Sequence, residues 1–323
     1  MHTDALSADD RTPLGPLRHS QRADRRTRGL GSGRLEKTIA DLLSDAGYTC
    51  AVYGKWHVGE GPGRWPTDKG FAEWYGPPRT YDEALWPDDP FYDPERDPVS
   101  RMVEIKRGEA DVTKLEQMTL DVRRDCDAEF LRRATAFIRD AVADETPFYV
   151  YFNHSMMHMP VIPREEFKGK TGKGDWAESL LELDADFGTL LDLLDELGVA
   201  EDTIVVFAGD NGPEEVLLWR GSPGYWEGSY FAGGEGDLRT PCTIRWPGHV
   251  PAGRSSNEIM HVTDWRPCCA PLGSALRPTA SSTGSTSSTG LPAATTSPPA
   301  RGSFSGWGRR CTARNGTTSS SLS

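Results

Sequence analysis

Between residues 36 and 264 the chain alternates helical and extended apolar patterns, and each extended stretch runs straight into a polar cluster. Thr38 to Ala46 sets Ile39, Leu42 and Leu43 at helical spacing, and Gly47 supplies a stop. Thr49 to Tyr53 then reads as a short strand. Thr119 to Ala143 reads as a long amphipathic helix with many Arg and Asp residues on its outer face; Pro147 ends that region and Phe148 to Phe152 is an apolar strand. Asp175 to Leu197 carries Leu180, Leu181, Leu183, Phe187, Leu190, Leu191 and Leu194, a second amphipathic helix stopped by Gly198. Thr203 to Ala208 is continuously β-branched or apolar, the pattern of a strand buried on both faces. This alternation predicts an α/β fold with a mostly parallel central sheet flanked by helices. In such folds ligands gather beyond the C-terminal ends of the strands, which is where the polar clusters fall.

Four clusters carry chemistry. Gly54-Lys55-Trp56-His57-Val58-Gly59 follows the first strand. In an extended segment Lys55 and His57 share a face, and an ammonium beside an imidazole suits an oxyanion; a solvated Lys and a packed His is the competing reading. His154-Ser155-Met156-Met157-His158-Met159-Pro160 follows the second strand. Its histidines are four apart, a metal-ligand spacing on a helix, but Pro160 and Pro163 argue against a long helix there; one catalytic and one structural His is a fair reading, and two satisfied loop histidines is the competing one, favoured for either His taken alone. Asp210-Asn211-Gly212-Pro213-Glu214 ends the third strand; its neighbouring carboxylate and amide oxygens are hard ligands for Ca²⁺ or Mg²⁺, and Asn-Gly-Pro is equally turn chemistry. Glu235-Gly236-Asp237-Leu238-Arg239-Thr240-Pro241 leads into Cys242 to Trp246, a loop entering an edge strand.

Composition excludes some partners. The net charge of −12 opposes sequence-independent binding to a nucleic-acid backbone. No apolar run approaches the ~20 residues of a membrane-spanning helix, so no membrane partner is expected. The N-terminus shows no secretory h-region, and the six cysteines have no framework spacing, which predicts reduced thiols and a cytoplasmic location. Trp65, Trp74, Tyr75, Tyr81, Trp86, Phe91 and Tyr92 crowd the segment after the first cluster; they either pack on the sheet or wall an aryl pocket.

In this order and spacing the four clusters resemble the sulfatase family, arylsulfatases of the alkaline-phosphatase-like superfamily. "GYTCAVYGKWHVG" resembles the family's second signature, and "FYVYFNHSMMHMP" the strand and loop that bring a catalytic His to the sulfate. "TIVVFAGDNGPEE" resembles the strand delivering Asp-Asn metal ligands, and "EGDLRTPCTIRWPG" the segment before the last core strand. The resemblance implies a small-molecule sulfate ester as substrate. It implies Lys55, His57 and His158 as sulfate-contacting catalytic residues, and Asp210 and Asn211 as ligands of a divalent cation, usually Ca²⁺ in this family. Tyr230 stands where many members have a second sulfate-binding Lys. The family nucleophile, a Cys in C-x-[PS]-x-R oxidised to formylglycine, has no counterpart in this chain, nor has the N-terminal Asp-Asp pair of metal ligands. The resemblance therefore implies a sulfate-ester hydrolase that is inactive as written. The alternatives are a non-catalytic sulfate- or metal-binding remnant, and a phosphate- or phosphonate-ester hydrolase of the same superfamily.

The two ends differ from the middle. Residues 1–35 are Arg-rich and aperiodic, and residues 265–323 contain no Asp, Glu, Lys, His, Ile, Val, Met or Tyr. Three parts are expected: an aberrant segment 1–35, a partial sulfatase domain 36–264 and a disordered low-complexity tail 265–323. The genetic code offers a cause. Met1 to Ala5 must be coded ATG CAY ACN GAY GCN; read one base later, permissible third bases give TGC ACA CCG ACG CGC, or Cys-Thr-Pro-Thr-Arg, the missing motif. Two bases later, Pro278 to Thr289 allows D-R-V-I-D-G-V-D-Q-L-D, similar to the segment after the last core strand of sulfatases. Both ends are thus expected to be out of frame.

Overall fold

A computed structural model describes residues 36–81, 92–93, 95, 100–215 and 221–265. The expected aberrant N-terminal segment, the tail from residue 266 onward, and Trp86 and Phe91 lie outside the described residues.

Helix α1 (Ile39–Asp45) begins at a capping box: the Thr38 hydroxyl accepts the Asp41 N–H at 3.0 Å and the Asp41 carboxylate accepts the Thr38 N–H at 2.8 Å. It buries Ala40 and Leu43 and leads through Gly47 into strand β1 (Thr49–Gly54). Side chains alternate along β1, and both of its faces are covered. Cys50 and Val52 join Ala40, Leu43, Trp65, Phe71 and Trp74 on one side; Ala51 and Tyr53 join Tyr75, Phe130 and Ala134 on the other.

Strands β2 (Glu73–Gly76), β3 (Arg101–Lys106) and β4 (Thr113–Gln117), which the sequence pattern did not reveal, extend the sheet on one side of β1. Strand β5 (Phe148–Asn153) lies on the other, giving the order β4-β3-β2-β1-β5. The α/β expectation holds. The sheet is mixed: β1 runs parallel to β2 and β5, while β2–β3 and β3–β4 are antiparallel. β5 is an edge, and Tyr151 stands 47% exposed on it.

Helix α2 (Leu120–Ala143), capped by the Thr119 hydroxyl on the Val122 N–H at 3.2 Å, packs Phe130, Ala134 and Ile138 toward β1 and β5. Helix α3 (Asp175–Glu196) follows and buries Leu193 and Leu194. Among the described residues, strand β6 (Val205–Ala208) pairs with β7 (Cys242–Arg245) alone, as a separate antiparallel two-stranded sheet. The short turn of helix α4 (Glu235–Leu238) precedes β7.

Two expectations about burial change. β6 is not buried on both faces: Val205 and Phe207 pack toward α3, with Phe187 and Phe207 ring centroids 5.1 Å apart, but Val206 is 37% exposed because no layer among the described residues covers that side. In α3 the inward stripe of the first half is polar. Glu178, Ser179, Glu182 and Asp186 are buried while Leu180 and Leu181 are exposed. Trp65, Trp74, Tyr75 and Tyr81 are buried, with Trp65 stacked on Trp74 at 5.9 Å, so these aromatics pack on the sheet. Among the described residues no helix is long and apolar enough to cross a membrane.

Candidate functional site

The parallel strands β2, β1 and β5 deliver three loops to one edge. Beyond β1 the backbone N–H groups of Trp56 and His57 donate to the carbonyls of Pro77 and Pro78 beyond β2, at 3.1 and 2.9 Å. The Asn153 side-chain amide, at the end of β5, donates to the Lys55 carbonyl at 2.9 Å. The loops can approach this closely because of glycine: a Cβ on Gly54, whose φ is +109°, would meet the Asn153 carbonyl oxygen at 2.1 Å. Lys55 is partly buried and His57 is exposed, with φ of 51°.

His158 reaches the same edge. Its Nδ1 lies 2.8 Å from the Met159 carbonyl, so Nδ1 carries a proton, and its Nε2 lies 2.8 Å from the Thr80 hydroxyl. Its ring meets the buried Tyr81 ring edge-on at 5.7 Å. The 77–81 loop thus touches the backbone of His57 and the ring of His158, while Lys55 is held through its carbonyl by Asn153.

Asp210 and Asn211 stand beyond β6, on the separate two-stranded sheet, and both are exposed. Asp210 Oδ1 accepts the Asn211 N–H at 2.9 Å, and the Asn211 amide donates to the Gly212 carbonyl at 2.9 Å, leaving its Oδ1 as an acceptor. Gly212 donates to the Asp237 carbonyl at 2.6 Å, and a Cβ there would meet the Gly236 carbonyl oxygen at 2.0 Å, so the third and fourth clusters pack on each other. A carboxylate and an amide oxygen fit a hard cation such as Ca²⁺ or Mg²⁺, as part of a larger ligand set. The Asp210 charge is also felt by Tyr151 on β5: although the residue is 47% exposed, its hydroxyl is held above the usual phenol range first by local desolvation and secondarily by that carboxylate. Tyr230 is fixed to this loop by its N–H on the Pro213 carbonyl at 3.2 Å and packs on Phe231.

The densest polar arrangement was not legible in the sequence. Arg123 and Asp127 of α2, placed on the outer face by their charge, are fully buried, 4.0 Å apart. Asp127 accepts the Ser155 N–H at 2.7 Å and the Ser155 hydroxyl. His154 is 6% exposed; its Nε2 lies 3.2 Å from Asp186 Oδ2, its Nδ1 accepts the Met156 N–H at 3.2 Å and lies 3.6 Å from Asp127. Arg164 donates its N–H and Nε to the two oxygens of Glu182, at 2.8 and 2.9 Å, and its guanidinium also to Asp186. The i,i+4 spacing of Arg123 and Asp127 was the available signal. It is indistinguishable from a surface ion pair until the partner loop is placed.

Asp127, His154 and Glu182 bring ligand-type atoms within 4.8 Å of one another. Each of those atoms already has a protein partner, and Arg123 and Arg164 balance the carboxylates. The trio therefore fits a closed ion network better than a metal centre. Burial pulls the His154 pKa down, but Asp127, Asp186 and Glu182 together hold it above the ordinary histidine value. A raised folded pKa stabilises fully below the unfolded value of about 6.5 and is lost as pH rises through the folded pKa. The Glu182 pKa is raised by burial, and acts in the same direction from lower pH. The melting temperature is accordingly expected to fall as pH rises above the ordinary histidine value of about 6.5. His154→Gln should flatten that slope; an equal slope in both proteins would refute the assignment.

The described thiols offer no activated nucleophile. Cys50 and Cys126 are buried, and burial pushes both thiols up to about 12, so both are protonated at neutral pH. Cys242 is free and exposed, and partial desolvation raises its pKa too.

Known proteins share this arrangement of chain. The family model described as Sulfatase matches residues 14–272. The N-acetylgalactosamine-6-sulfatase of Rattus norvegicus is 33% identical over 247 residues, 72% of this chain and 44% of that protein. Arylsulfatase A of Homo sapiens is 31% identical over 250 residues, 75% of this chain and 48% of that protein. Among solved structures, the PsFucS1 sulfatase from Pseudoalteromonas sp. superposes with a TM-score of 0.65 at 26% identity, over 73% of this chain and 52% of that one. The chain spans a little under half the length of these curated relatives. The matched extent and the identity place this chain in the sulfatase family.

Proposed function

We propose that this chain carries the sulfate-gathering part of a sulfate-ester hydrolase of the arylsulfatase type, and that as written it binds the anion without turning an ester over. The observation that carries this reading is the convergence of the Lys55, His57 and His158 loops at one edge of the parallel strands. When the two imidazoles are protonated, they and the Lys55 ammonium can hold sulfate oxygens by charge-assisted hydrogen bonds and protonate a departing alkoxide or phenoxide. Asp210 and Asn211 would supply two ligands to a Ca²⁺ or Mg²⁺ ion, which when bound screens the anionic ester and lowers the pKa of an attacking group. Relatives named for a sugar sulfate and for aryl sulfates support a small sulfate ester as the substrate class.

Titration calorimetry of the full chain with sodium sulfate tests the binding half of this proposal. A hydrogen bond to a charged group contributes about 1.5–3 kcal/mol, so Lys55→Ala and His158→Ala should each weaken sulfate roughly 10- to 100-fold. Sulfate affinity unchanged in both variants would remove these residues from the site.

A further inference from the structure

The loop that presents His158 has almost no regular structure of its own, yet its backbone is held at several points by one side chain. The Arg123 guanidinium, fully buried, donates to the Ser155 hydroxyl, to the Ser155 carbonyl at 3.2 Å and to the His158 carbonyl at 2.7 Å. It also lies 4.6 Å over the Tyr81 ring, the same ring that meets the His158 imidazole edge-on. One planar cation therefore touches both the backbone of His158 and the aromatic wall beside its ring.

We propose that Arg123 is a positioning residue that fixes the His158 imidazole in a single orientation and tautomer, through its grip on the 155–158 backbone and on Tyr81. The planar fork is what the geometry uses: two carbonyls and a hydroxyl are reached from one rigid group, which an ammonium on a flexible stem cannot reproduce. Asp127 holds the guanidinium from the same helix and takes the Ser155 N–H and hydroxyl, so Arg123, Ser155 and Asp127 form one connected unit. The consequence for His158 is specific. With the Met159 carbonyl accepting from Nδ1, Nε2 is the nitrogen left for Thr80 and for any ligand at this edge. The link to sulfate rests on the function proposed above; the orientation of His158 does not.

The test separates the two. The full chain, labelled with ¹⁵N-histidine and with His158 assigned by its loss in His158→Ala, is examined by long-range ¹H–¹⁵N spectra without and with sodium sulfate. Wild type should show His158 as one Nδ1–H tautomer. Arg123→Lys keeps the charge and loses the fork, and should give an averaged tautomer signal and about tenfold weaker sulfate binding. A folded Arg123→Lys chain with His158 still in a single tautomer overturns the proposal. Should Arg123→Lys fail to fold, Ser155→Ala removes one anchor of the guanidinium and keeps its bonds to the residue 155 and His158 carbonyls. Tautomer exchange at His158 in that variant supports the proposal, and a fixed tautomer overturns it. An averaged tautomer with unchanged sulfate affinity would keep Arg123 as the positioning residue and remove His158 from the sulfate site.

Discussion

The 323-residue chain is expected to release no measurable product from an aryl sulfate, while a version read in the shifted frame at its N-terminal end gains turnover by a factor of order 10⁴ or more. In the proposed function Lys55, His57 and His158 polarise and hold an ester, but covalent catalysis needs a nucleophile to split one difficult displacement into two easier ones. Cys50 and Cys126 are buried with pKa values pushed up to about 12, and no cysteine of the chain stands in C-x-[PS]-x-R. A Cys-Thr-Pro-Thr-Arg, which degenerate third bases permit one base away, would supply that group. Sequencing the gene across codons near 35 and 264 comes first, and the two proteins are then compared on an aryl sulfate in a host that oxidises the cysteine. Turnover by the chain as written within about tenfold of the restored protein, and lost in Lys55→Ala, would show that another group performs the attack.

What could be read from sequence followed physical rules of different reach. α1, α2, β1, β5 and α3 were legible because local signals agree at each: a capping Thr, a run of period 3.6, a Gly or Pro stop. β2, β3 and β4 were not. Their strands are short, Thr113–Gln117 is mostly polar and exposed, and two of the three pairings are antiparallel extensions whose registry depends on β1 being in place. The site divides the same way. Lys55, His57 and His158 could be named because each follows a readable strand. Arg123, Asp127, Glu182 and Asp186 could not, because a charge on an amphipathic helix is assigned to solvent by default, and only the tertiary placement of the 154–164 loop turns those charges inward. The same rule misplaced Leu180 and Leu181, apolar residues that stand outside.

Replacing Asp127 by Ala is expected to lower stability by about 3–5 kcal/mol, a shift of roughly 10 °C in melting temperature. The cost follows from what is left behind rather than from what is lost. Arg123 stays fully buried with no carboxylate beside it, and the Ser155 N–H and hydroxyl lose their acceptors in a region closed to water. An exposed pair behaves differently: Arg139 and Glu196 join α2 to α3 at 2.9 Å in full contact with solvent, and Glu196→Ala should leave the melting temperature nearly unchanged. The double variant Arg123→Met with Asp127→Leu separates the two sources of cost. With both charges gone and the volume kept, the part of the cost due to the unpaired guanidinium should return, while the Ser155 N–H and the Ser155 and His158 carbonyls stay without those partners. A double variant no more stable than Asp127→Ala would mean instead that the network's hydrogen bonds, and not its unpaired charge, hold α2 to the loop that carries His158.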